Sequence, residues 1–66
     1  MPKKIRELKA MLSQAGWIQV PGGKGSHTKW MHPRVKRRII VSGKDGEDAK
    51  PYQQRDVNIG VSEAGS

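Results

Sequence analysis

The only two histidines of this 66-residue, cysteine-free chain stand in one short stretch, Lys24-Gly25-Ser26-His27-Thr28-Lys29-Trp30-Met31-His32-Pro33. An imidazole titrates close to neutrality, so it can take a proton from a hydroxyl, or return one, without help from a metal. Residues 21–26, which lead into His27, hold three glycines in six positions and can expose several backbone N–H groups. Beside Lys24 and Lys29 such a loop makes a seat for a phosphate. In RNA the 2′-hydroxyl lies next to the phosphodiester. One base to activate it, and cations to meet the developing negative charge, are then enough for metal-free cleavage. His27 is therefore the candidate catalytic group, as general base or acid, with Lys24 and Lys29 as phosphate-binding cations. The run Arg34, Lys36, Arg37 and Arg38 is either a solvated turn or a further phosphate contact, with Arg37 the member assigned to substrate.

The elements that position these residues follow from the spacing of apolar side chains. Over residues 3–15, Ile5, Leu8, Met11, Leu12 and Ala15 recur every three or four positions, which predicts an amphipathic helix with Pro2 near its start and Gly16 just past its end. The period then changes to two. Strands are predicted over 17–20, 27–32 and 37–41, with a glycine-rich loop after the first and the turn Pro33-Arg34-Val35-Lys36 after the second. Short connections make an antiparallel meander the economical pairing. Residues 42–50 read as a polar loop. Val57, Val61 and Ala64 then predict a second helix over 53–64, weakened by Gly60 at a cost of about 1 kcal/mol. The expected fold is α+β, in the order α-β-β-β-α: one domain spanning 1–66, with both helices on one face of a three-stranded antiparallel sheet.

Strand alternation separates the two histidines. In a regular strand His27, Lys29 and Met31 share one face, while Thr28, Trp30 and His32 share the other. Trp30 is the natural anchor to the helices, which puts His27 and Lys29 on the open face and leaves His32 a structural role at the strand end. Trp17 and Trp30 are read as core rather than as platforms for stacked bases, because a chain with no Phe has few other large residues to fill its interior. With the histidines on opposite faces and the acids in another part of the chain, neither a metal site nor a cofactor is expected.

Charge narrows the class of partner. Lys and Arg number 13 against six Asp and Glu, a net charge of +7, as expected of a protein that meets a polyanion. Residues 1–41 hold ten of the bases and only Glu7 (+9), whereas residues 42–66 hold three bases and five acids (−2). The absence of cysteine excludes a disulfide scaffold and a thiolate metal site. No stretch approaches the roughly 20 apolar residues of a membrane span, and no signal-type apolar run follows the charged start. These features predict a soluble, cytoplasmic protein that does not act at a membrane. Three readings fit the residues alone: an RNA-cleaving enzyme, a non-catalytic module that recognises duplex RNA by shape, and a basic surface that docks an acidic protein.

Met1-Pro-Lys-Lys-Ile-Arg-Glu-Leu, Ala15-Gly16-Trp17, Lys24-Gly25-Ser26-His27, His32-Pro33 and Lys50-Pro51 occur here in an order and spacing that resemble the HicA toxins of toxin–antitoxin pairs. The likeness runs over residues 1–42 and continues at Lys50-Pro51. It implies a fold similar to a double-stranded-RNA-binding domain, ribosome-independent cleavage of mRNA, and neutralisation by a HicB antitoxin that covers the site, as a dimer or hetero-oligomer. It also implies that His27 is the essential residue and that Gly25 and Ser26 shape its loop at the substrate. Two features depart from the family's pattern: Arg34-Val35-Lys36 stands where many members have an Asp-Gly turn, and the segment 57–61 is a poorer helix.

Overall fold

The computed structural model describes residues 3–22, 25 and 27–65. They form α1 (Ile5–Gln14), β1 (Ile18–Val20), β2 (Thr28–His32), β3 (Val35–Val41) and α2 (Pro51–Ala64), the α-β-β-β-α order expected of an α+β fold. The strands make one antiparallel sheet in the order β1-β2-β3. Ile5, Leu8 and Leu12 of α1 and Val57 of α2 pack with Trp17, Trp30, Ile39 and Val41 on one side of that sheet. The other side is open and exposes Ile18, Met31 and Ile40.

Helix α1 begins at Ile5, two residues later than its apolar spacing predicts, because the preceding residues are paired elsewhere. Lys4 bridges Asp48, and the Ala49 N–H donates to the Lys3 carbonyl at 2.7 Å. The first N–H groups of a helix have no partner within it. Here the Ile5 and Arg6 N–H groups donate to the carbonyls of Glu47 (2.9 Å) and Asp45 (3.2 Å), so the loop before α2 caps α1. Ion pairs from Lys4 to Asp48 and from Lys9 to Asp45 reinforce the contact. Arg37 similarly pairs with Glu63 of α2 at 2.9 Å. Acids from the last third of the chain thus fold back onto bases of the first two-thirds.

The β2–β3 turn is tighter than expected. His32 pairs with Val35 across Pro33-Arg34 alone, so β3 starts at Val35 and takes in Lys36. Trp30 pairs with Ile39, which leaves residues 36–38 opposite Met31 alone. The extra residues form a bulge in β3, and β2 keeps its alternation.

Helix α2 starts at Pro51 rather than at residue 53. Proline suits the first position, where its missing N–H has no helical partner to lose. The Lys50 N–H donates to Gln53 Oε1 at 2.8 Å. Gly60, which weakens the helix in isolation, is what lets it close on the sheet. A Cβ there would fall inside the contact radius of Ile39 Cδ1 and 3.1 Å from Trp17 Cζ2, and the Trp17 indole N–H donates to the Gly60 carbonyl at 3.2 Å. Among the described residues no helix is long and apolar enough to cross a membrane.

Candidate functional site

His32 is buried at the end of β2 with both ring nitrogens engaged. The Arg34 backbone N–H can only donate, so Nδ1 accepts from it at 3.0 Å; Nε2 then carries the proton and donates to the Ala15 carbonyl at 3.1 Å. The ring lies 5.6 Å from that of Trp17, tilted by 58°. Gly16 has φ +93°, and a Cβ on it would stand 3.0 Å from Nε2, so a glycine at the end of α1 makes room for this histidine. His32 ties the end of α1 to the hairpin turn.

His27 occupies the opposite situation. It is exposed just ahead of β2, and its Nδ1 lies 2.7 Å from Ser42 Oγ. The last ladder pair is Thr28 with Val41, so His27 and Ser42 continue the register on the open face. Among the described residues no hydrogen bond reaches His27 Nε2, which leaves that nitrogen for an incoming group. Alternation along β2 places Lys29 on the same face, where it pairs with Val20 and Ile40. A Cβ on Gly22 would stand 3.3 Å from Lys29 Nζ, so the ammonium lies over the start of the glycine-rich loop. Gly25 has φ +59° and open space around it. The left-handed backbone, not crowding, is the reason for glycine two residues before His27.

The structure places His27 and Lys29 on one face of the sheet, with Gly25 two residues before His27 in a left-handed backbone conformation. Lys24 and Ser26, assigned to the substrate seat from sequence, lie outside the described residues. Arg37 is not part of this group. It sits toward the turn end of β3, five residues before Ser42, and its guanidinium is paired with Glu63.

Sequence reasoning missed Ser42, which it placed in a polar loop. The signal was available: strands over 27–32 and 37–41 set His32 opposite Arg37, and the same register sets His27 opposite Ser42. It also missed Gln53, a buried polar residue whose Nε2 donates to the Ser42 carbonyl at 2.7 Å.

An α-β-β-β-α fold with one histidine buried beneath the helices and another exposed on the open face of the sheet defines a small histidine-bearing sheet module. Its family is specific: the chain belongs to the HicA toxins, since the model of the family described as HicA toxin of bacterial toxin–antitoxin matches residues 5–65. Among solved structures it is similar to a chain of a toxin–antitoxin complex from Streptococcus pneumoniae, with 29% identity and a TM-score of 0.68 over 98% of this chain and 100% of that one. The comparison with curated proteins gives no match.

Proposed function

We propose that this toxin is a metal-independent endoribonuclease that cleaves mRNA, with His27 acting on the 2′-hydroxyl and its neighbouring phosphate. The observation that carries the reading is the division of labour between the histidines: His32 has both nitrogens engaged and is buried, whereas His27 is exposed on the face that carries Lys29, with no hydrogen bond to its Nε2 among the described residues. As base, Nε2 takes the 2′-hydroxyl proton while the 2′-oxygen forms a bond to phosphorus. The bond from phosphorus to the 5′-oxygen breaks, and that oxygen takes a proton from the imidazolium or from water. The Lys29 ammonium, and Lys24 with the backbone of Gly25 and Ser26, meet the charge on the phosphoryl oxygens. Arg37, held by Glu63 of α2, lies outside this RNA-binding group.

The partner that neutralises it is a HicB-type antitoxin. Ile18, Met31 and Ile40 lie exposed on the same face as His27, so a protein seated on those apolar side chains also covers the histidine. RNA and antitoxin then compete for one surface.

Cleavage of an RNA oligonucleotide in excess EDTA, compared with copies carrying a single 2′-deoxy substitution, tests the chemistry. The expected outcome is EDTA-resistant cleavage that stops at each bond whose 2′-hydroxyl has been removed. Cleavage of the deoxy-substituted bonds, or a requirement for a divalent cation, would overturn the mechanism.

A further inference from the structure

We infer that Ser42 is the positioning residue for His27, and that Gln53 of α2 holds Ser42 in place; the inference rests on the role proposed for His27. An exposed imidazole at a strand start turns freely about two torsions, and a freely turning base is seldom aimed at its substrate. The 2.7 Å contact from Ser42 Oγ to His27 Nδ1 removes that freedom and directs Nε2 outward.

A hydroxyl suits the task because it both donates and accepts. When Nδ1 carries the proton it donates to Oγ, and Nε2 presents the lone pair that a general base needs. After Nε2 has taken a proton, the imidazolium still donates from Nδ1 to the same oxygen. The contact therefore persists through the proton transfer. A methyl group in its place would leave the ring unaimed.

Ser42 is itself fixed from several directions. Its carbonyl accepts from Gln53 Nε2 at 2.7 Å, and Gln53 is only 5% exposed. Gln53 Oε1 in turn accepts from the Lys50 N–H, which anchors the amide to the start of α2. Gly43, with φ +119°, packs against Ile5, and Thr28 Oγ1 donates to the Val41 carbonyl at 3.2 Å. The end of β3 is thus tied to both helices and to β2, and the Ser42 hydroxyl is the part left over to face His27. Rigid elements supporting a second residue that orients the reacting one are what keeps a site on target.

Ser42→Ala removes the hydroxyl but keeps the carbonyl that Gln53 holds, so the fold is preserved. The test compares wild type, Ser42→Ala and Ser42→Thr in steady-state cleavage of an RNA oligonucleotide, together with the 15N shifts of the His27 ring in the RNA-free protein. Ser42→Ala is expected to lower kcat by about tenfold with KM within about twofold, and Ser42→Thr to restore most of the loss. In wild type, the ring shifts should report a single tautomer with Nδ1 hydrogen-bonded; in Ser42→Ala they should move toward those of a free imidazole. Unchanged kcat together with unchanged ring shifts would overturn the inference. The ring shifts are read without substrate, so they decide whether Ser42 holds His27 even if the ribonuclease reading fails. If the shifts respond but the protein cleaves no RNA, the positioning stands and the proposed reaction falls.

Discussion

His27 and His32 are five residues apart, and their difference in role follows from strand geometry. Side chains alternate, the face with Trp30 is buried, and so His32 goes under the helices while His27 remains outside. This much was legible in the sequence, because alternation needs only a strand and one large apolar residue to fix its sense. The partners of His32 were not legible, since Ala15 and Gly16 meet it only through the packing of α1 on the hairpin. A buried imidazole with two hydrogen bonds is a stability element. His32→Ala should lower the unfolding free energy by about 2–4 kcal/mol, from the lost packing and the backbone groups left unpaired. Urea denaturation gives that value, and the rate of RNA cleavage per folded molecule should stay within about twofold of wild type. A stable His32→Ala protein that fails to cleave would instead place His32 in the reaction.

At the scale of elements, the boundaries were shifted by contacts distant in sequence. Ile5, Leu8 and Leu12 announce α1 by their spacing, but its start depends on Glu47 and Asp45 carbonyls some 40 residues away. Local periodicity carries no trace of such a cap. Gly60 shows the same limit from the other side: propensity marks it as a weakness of α2, whereas the packed molecule needs it against Trp17 and Ile39. Gly60→Ala gains about 1 kcal/mol of helix propensity. It also drives a methyl group into Ile39 beside the rigid Trp17 ring, an overpacking that costs about 1–3 kcal/mol. The net result should be a protein no more stable than wild type and less stable by up to about 2 kcal/mol, measured by thermal or urea unfolding. A Gly60→Ala protein more stable than wild type would show that α2 does not close on the sheet as described.

For the whole molecule, the net charge of +7 is a weaker guide than its arrangement. Lys4, Lys9 and Arg37 are each matched by an acid from the last third of the chain, while Lys29 lies unpaired on the open face among the described residues. Composition could show the excess, and only the fold shows which cations remain for a polyanion. RNA affinity should fall with salt. In the cleavage-deficient His27→Ala background, Lys29→Ala should reduce the slope of log K against log salt by about 0.7, the value of one phosphate contact on a single strand. Lys9→Ala should leave that slope nearly unchanged. Equal effects from the two substitutions would mean that the RNA does not select the open face. All of this depends on His27 being the reacting group, and the single-turnover rate of RNA cleavage by His27→Ala against wild type tests that most directly. The His27→Ala rate should be at least about a hundredfold lower with RNA binding within about twofold; cleavage by His27→Ala at the wild-type rate would mean that His27 is not the reacting group.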